Sequence, residues 1–239
     1  MLQNSVAERT YTSAIDRLAT LPDVFTGGDL AVRFGWKSAH ASSYLAHWRK
    51  AGLIQSLGGR SDVHMNRVTN RQVNPQAALR RAFPSAVKVG MDILREAGWT
   101  TQVPNLIEVA VAQSSSLHHL EGFELTTRTD PWFASVAPGV QKVSAGIDQL
   151  KPAWALADML ARANDRRVRK AWLPDPEDLD LNSVRADRQM ARALTAFGLP
   201  SGCVDDAGYE QLYDRFITTA RKHTATSKTQ SPGSRAPRA

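Results

Sequence analysis

The 239-residue chain has one cysteine, Cys203, which excludes an internal disulfide and fits a reducing, cytoplasmic setting. No run approaches the ~20 apolar residues of a membrane-spanning helix, and the opening MLQNSVAERTYT lacks the apolar core of a secretory signal. Neither a Gly-x-Gly-x-x-Gly stretch nor a phosphate-loop lysine motif occurs, so nucleotide chemistry of those kinds has no basis in this sequence. Zinc spacing is missing too, and His118-His119, after Ser114-Ser115-Ser116, reads as part of a polar loop. A restriction-type nuclease needs a lysine two positions after its second acidic ligand; after Glu108 that place is Ala110. Asp92, between helical neighbours such as Arg95 and Glu96, reads as part of a solvated face. No catalytic residue, metal or cofactor is therefore expected.

Acidic residues are also absent from 221–239, where five Lys/Arg stand unopposed. Residues 1–75 carry nine Lys/Arg against five Asp/Glu, while the stretch between the two basic ends is slightly acidic. Basic ends on a near-neutral body suggest phosphate contact by the N-terminal part and some loose, salt-sensitive contact by the tail. The segment 225–239 has no apolar anchor and reads as disordered. The cations Arg162, Arg166, Arg167, Arg169 and Lys170 crowd a helix end, where the dipole and solvent favour them as readily as a nucleic acid would.

What the sequence does contain is concentrated in WKSAHASSYLAHWRKAGLIQSLGGRSDVHMNRV, residues 36–68. Ser38 as N-cap and Gly52 as terminator delimit a helix of about thirteen residues. Ala41, Leu45 and Trp48 fall on one face; His40, Ser43, His47 and Lys50 fall opposite. Upstream, Thr26 and Asp29 form a capping box for a two-turn helix ended by Gly35, and Gly35-Trp36-Lys37 is the short turn of a helix-turn-helix. Downstream, Leu53–Leu57 and Val63–Met65 read as strands around Gly58-Gly59, a tight hairpin with Arg60 at its tip. Helix, turn, helix and hairpin together predict a winged helix-turn-helix that binds double-stranded DNA. Lys37, His40, Ser42, Ser43, His47 and Lys50 would supply base and phosphate contacts from the second helix, and Arg60 would hold phosphate from the wing. The polar stripe taken alone also describes a helix face that simply meets solvent. A homodimer on DNA is compatible with such a module.

A first helix over residues 6–21, with Ala7, Tyr11, Ala14, Ile15, Leu18 and Leu21 inward, completes this domain, and Trp48 is expected to be the largest member of its core. The character changes at 70–76, so the domain is read as 1–75. Beyond it the expected order is a helix at 76–82, a helix from Ala86 to Ala97, strands at 100–103, 106–112 and 123–129, then helices. Pro152 starts one helix, Ser183 caps another that runs on to Phe197, and a last helix carries Tyr209 to Ala220. The fold class is α+β, with a small sheet and several helices in residues 76–224. Trp132, Phe133 and Trp154 are the aromatic candidates for a protein partner, with core burial the competing role for each.

The order of the winged domain, GWTTQVPNLIEVAVA, FELTTRTDPWF and LKPAWALADML resembles the AbiE-type (AbiEi) antitoxin and transcriptional regulator family of type IV toxin-antitoxin systems, over roughly residues 5–200. The resemblance implies an N-terminal domain that binds the promoter of its own operon as a repressor. It also implies a C-terminal domain that counteracts a nucleotidyltransferase-like toxin, directly or indirectly, and no catalytic residue. The basic tail from Arg221 onward has no counterpart in that pattern. The competing expectation is a winged-helix regulator of another operon whose second domain binds an effector or dimerises.

Overall fold

The computed structural model describes residues 13–58, 61–112, 120–144, 146–165 and 172–229. The chain is α+β and divides into two compact units. The first gathers residues up to Ala86 with the segments 118–121 and 144–147, and the second holds the remainder. The division thus falls after Ala86 and not at 70–76.

In the first unit, Ser13 caps α1 (Ala14–Ala19): its hydroxyl accepts from the Asp16 amide while the Asp16 carboxylate accepts from the Ser13 amide. Residues 1–12, with the expected Ala7 and Tyr11, lie outside the described residues. Leu18 and Leu21 are buried, but Ile15 is 57% exposed, because so short a helix turns only Leu18 fully inward. Three strands follow the order β1-β3-β2, antiparallel throughout: β1 (Val24–Thr26), β2 (Ile54–Ser56) and β3 (Val63–Asn66). β1 was not expected, since three residues are too few to show a strand period.

Between β1 and β2 lie α2 (Gly27–Phe34) and α3 (Ser38–Lys50). The Thr26–Asp29 capping box starts α2, and Gly35 ends it with φ 63°, the left-handed region that an L side chain resists. The cap of α3 is Lys37, not Ser38: the extended backbone sits at Lys37, so Ser38 is already the first helical residue and its hydroxyl makes no cap bond. The Leu57 amide donates to the Val63 carbonyl beside the β2–β3 pairing, and Gly59 of the expected Gly58-Gly59 turn lies outside the described residues. Leu18, Phe25, Leu30, Ala41, Leu45, Trp48 and Ile54 form the core. Helix α4 (Pro75–Ala82), capped by Asn74, contacts β1 and β3 and belongs with this unit.

The second unit is built on a five-stranded mixed sheet of order β6-β5-β4-β8-β7. Its strands are β4 (Val87–Lys88), β5 (Ile107–Ala112), β6 (Phe123–Arg128), β7 (Val140–Gln141) and β8 (Asp148–Leu150). β5–β6 and β4–β8 pair parallel; β4–β5 and β7–β8 pair antiparallel. The helix expected from Ala86 is a correction: Val87–Lys88 is a strand, and α5 covers only Met91–Glu96, because Gly90 at φ 82° breaks the chain direction between them. Thr100 makes an isolated bridge to Leu179 and the 100–103 strand does not form.

Helix α6 (Asp130–Val136) follows β6, and α7 (Pro152–Asn164), with Pro152 in its first turn, is buried on every side from Ala153 to Leu160. Such all-round burial marks a central helix; α7 contacts α5 and two later helices, α9 (Met190–Ala196) and α10 (Asp206–Thr229). The single helix expected from Ser183 is two: α8 (Leu181–Ala186), capped by Asp180, and α9. Ser183 instead donates its hydroxyl to Asp180 (2.6 Å). Helix α10 continues to Thr229, past the expected start of the disordered tail at 225; residues 230–239 lie outside the described residues.

Candidate functional site

Helix α3 buries Ala41, Leu45 and Trp48, and that spacing turns its other residues outward. Lys37, His40, Ser42, Ser43, His47 and Lys50 are all exposed. By helical geometry Ala39, Ser43, Ala46 and Lys50 form the middle of the outward face, with His47 on one flank and Ser42 and Arg49 on the other. The middle of this face therefore carries small residues, which allow close approach, and its C-terminal end carries cations. Arg49 is exposed and belongs to this surface; its place one residue before Lys50 hid it from a reading restricted to a single stripe.

His40 differs from the rest. Its ring stacks on Trp36 (centroids 4.9 Å apart, planes 22° apart) and leans on Tyr44 (5.0 Å). Trp36 in turn stacks on Phe34 (4.8 Å) and on Tyr44 (4.4 Å) and meets Trp48 at 6.3 Å. The Arg17 guanidinium lies over both Trp36 (5.3 Å) and Tyr44 (5.1 Å), a cation–π arrangement. Trp36 and Tyr44 were not singled out in the sequence; their i, i+4 relation to His40 and Trp48 was the available signal.

The β2–β3 hairpin is tied to the start of α2. Asp62 accepts from the Gly27 amide (3.0 Å), and a side chain at position 27 would overlap that carboxylate. Asp62 also lies 3.8 Å from His64, which is buried. Burial holds the His64 imidazole below its ordinary pKa, against the pull of Asp62 and with a contribution from Arg49. Its Nδ1 has no hydrogen-bond partner among the described residues. Arg60 and Gly59 lie outside the described residues, as do His118, His119 and the run 166–170.

In the second unit the candidate aromatic anchors fall in different places. Trp154 is 1% exposed, donates to Gln189 Oε1 (3.2 Å) and packs against Gly139, so it is a core residue and cannot serve as a surface anchor. Trp132 and Phe133 are half-buried and meet edge to face at 5.0 Å. The Trp132 indole N–H donates to Asp158 Oδ1 (2.8 Å), and Arg128 lies over its ring at 5.3 Å while donating to Asp158 Oδ2 (3.2 Å).

Among the described residues, the buried carboxylates of this unit, Asp92, Glu108 and Asp158, are paired with cations. Glu108 is buried against Arg162 (3.3 Å); burial pushes its carboxyl up, with Arg162 opposing, and burial likewise pulls the Arg162 guanidinium down. Gly90 is required beside it, since a Cβ there would come within 2.9 Å of the Glu108 carboxylate. Asp92 is not the solvated residue expected: it is buried and paired with Lys88 and Arg95. Burial alone would raise its carboxyl, but the bonds from Lys88 and Arg95 hold it below its usual value. Cys203 is buried and its thiol is raised by that burial, the opposite of a reactive thiolate. Among the described residues no group of three His, Cys, Asp or Glu side chains is placed to hold a metal ion, and no helix is long and apolar enough to cross a membrane.

No protein-family model and no curated protein matches the chain. Among solved structures it is similar to the crystal structure of the RV2827C protein from Mycobacterium tuberculosis, with a TM-score of 0.53 and 18% identity over 86% of this chain and 78% of that one. At that identity the likeness is one of fold.

Proposed function

We propose that the chain is a DNA-binding transcriptional regulator, with a winged helix-turn-helix in its first unit. In this reading α3 enters the major groove, the β2–β3 hairpin is the wing, and Lys37, His40, Ser42, Ser43, His47, Arg49, Lys50 and Arg60 meet bases and phosphates. The observation that carries it is the outward face of α3, where small and polar residues lead into exposed cations beside a hairpin anchored to α2. The resemblance to AbiE-type antitoxins extends the proposal: the protein represses its own operon in the cytoplasm, and its second unit counteracts a nucleotidyltransferase-like toxin. Trp132 and Phe133 remain the proposed aromatic contacts for that partner. The pairing of Glu108, Asp92 and Asp158 with cations favours a non-enzymatic role for the second unit.

Mobility-shift titrations of the full chain on DNA from upstream of its own operon test the first part. Binding should weaken steeply with salt and exceed that to scrambled DNA. Equal, salt-independent affinity for both would refute it. Co-expression with the product of a toxic neighbouring gene tests the second part: rescue is expected, and unrelieved growth arrest would refute the antitoxin assignment.

A further inference from the structure

The geometry points to Trp36 as a positioning residue for sequence recognition: it holds the imidazole of His40, in the first turn of α3, in one orientation toward DNA. This inference rests on the DNA-binding reading above. The N-terminal end of a recognition helix is the part that reaches base edges, and His40 is the third residue of α3. A free histidine there would sample several rotamers, and ordering it on binding would weaken the contact. Here the ring is held beforehand against Trp36 and Tyr44, which stack on each other, while the residue remains exposed.

Trp36 is itself fixed from several directions. Its amide donates to the Ala31 carbonyl (2.9 Å) in the turn that closes α2 after Gly35. Phe34 and Tyr44 stack on its ring, and Arg17 from α1 lies over the same pair. The platform therefore joins α1, the end of α2 and the start of α3, and His40 is its outermost ring. In this inference Trp36 acts through His40.

The test uses the full chain. Trp36→Leu keeps an apolar side chain but removes the aromatic face, and Trp36→Phe keeps a face. Binding to a randomised DNA pool, followed by sequencing, should show that His40→Ala lowers preference at one or two positions by about fivefold or more. Trp36→Leu should lose preference at those same positions while retaining general affinity, and Trp36→Phe should restore it. In parallel, nuclear magnetic resonance of 13C-histidine protein should show His40 ring protons shifted upfield by the aromatic ring at position 36, both in the wild type and in Trp36→Phe. The wild-type measurement needs neither DNA nor a variant. Unshifted His40 protons in the wild type would overturn the assignment, as would a folded Trp36→Leu that keeps the wild-type preference. Loss of preference at positions untouched by His40→Ala would also overturn it. A wild-type chain that selects no sequence but shows the shifted protons would instead sink the DNA-binding reading.

Discussion

In the first unit Lys37 at the cap of α3 and Arg49 and Lys50 at its end are exposed, over a core of Leu18, Phe25, Leu30, Leu45 and Trp48. In the second unit Lys88, Asp92, Glu108 and Asp158 are buried, and Arg128 and Arg162 reach in to meet two of them. The contrast separates two uses of ionic side chains. A charge left in water keeps its field available to a ligand such as phosphate. A charge buried against a partner is satisfied internally and fixes how a helix lies on a sheet, as Asp158 and Arg162 of α7 do against β5, β6 and α6.

The largest expected effect that sharpens this contrast is at Asp158. Asp158→Ala leaves the Arg128 guanidinium and the Trp132 N–H without their acceptor and should cost about 3–5 kcal/mol in urea unfolding. Asp158→Asn, which still accepts from Trp132, should cost less. A loss under about 1 kcal/mol for the alanine variant would mean that the buried charges of the second unit are not structural. In the first unit the corresponding stability lies in local caps: Thr26→Ala removes the capping box of α2 and should cost about 1 kcal/mol by the same measurement.

A subtler difference concerns pH. His64 is buried with its pKa lowered by that burial. As pH falls below about 6.5, the unfolded chain binds a proton there that the folded unit does not, so folded-state stability declines. Stability measured from pH 7 to pH 5 should therefore fall more steeply for the wild type than for His64→Phe. Equal slopes would show that the imidazole accepts its proton without penalty. The smallest effect on folding is expected at Lys50. Lys50→Ala should leave the melting temperature in place while lowering the salt slope of DNA binding by about one, the mark of one lost phosphate contact. A large drop in melting temperature would place Lys50 among structural charges and break the contrast.

Much of the first unit was legible because its signals are local. The Thr26–Asp29 box, Gly35, Gly52 and the inward Ala41, Leu45 and Trp48 all act within a few residues along the chain. In the second unit the same kind of signal located α7 from Pro152 and the strands β5 and β6, and gave the α+β class. It failed at Val87–Lys88, where two residues cannot declare a strand, and at Ser183, which is the partner of a cap and not the cap itself.

The sequence by itself determined where α3 begins to within a residue, which of its faces is apolar, and that its opposite face is small, polar and basic. Those properties depend on residue type and on a period of 3.6. Only the tertiary structure decided which exposed residue is held and which charge is hidden. The i, i+4 spacing of Trp36 and His40 allowed a contact that only the fold turned into a stacked ring, and Asp92 looked solvated until Lys88, four residues before it on the preceding strand, was folded against it. Glu108 and Arg162 lie far apart in the chain yet share one buried site. Side-chain identity and local spacing fix which interactions are possible, but burial, and a pairing such as Glu108 with Arg162, depend on distances across the fold that no local spacing encodes.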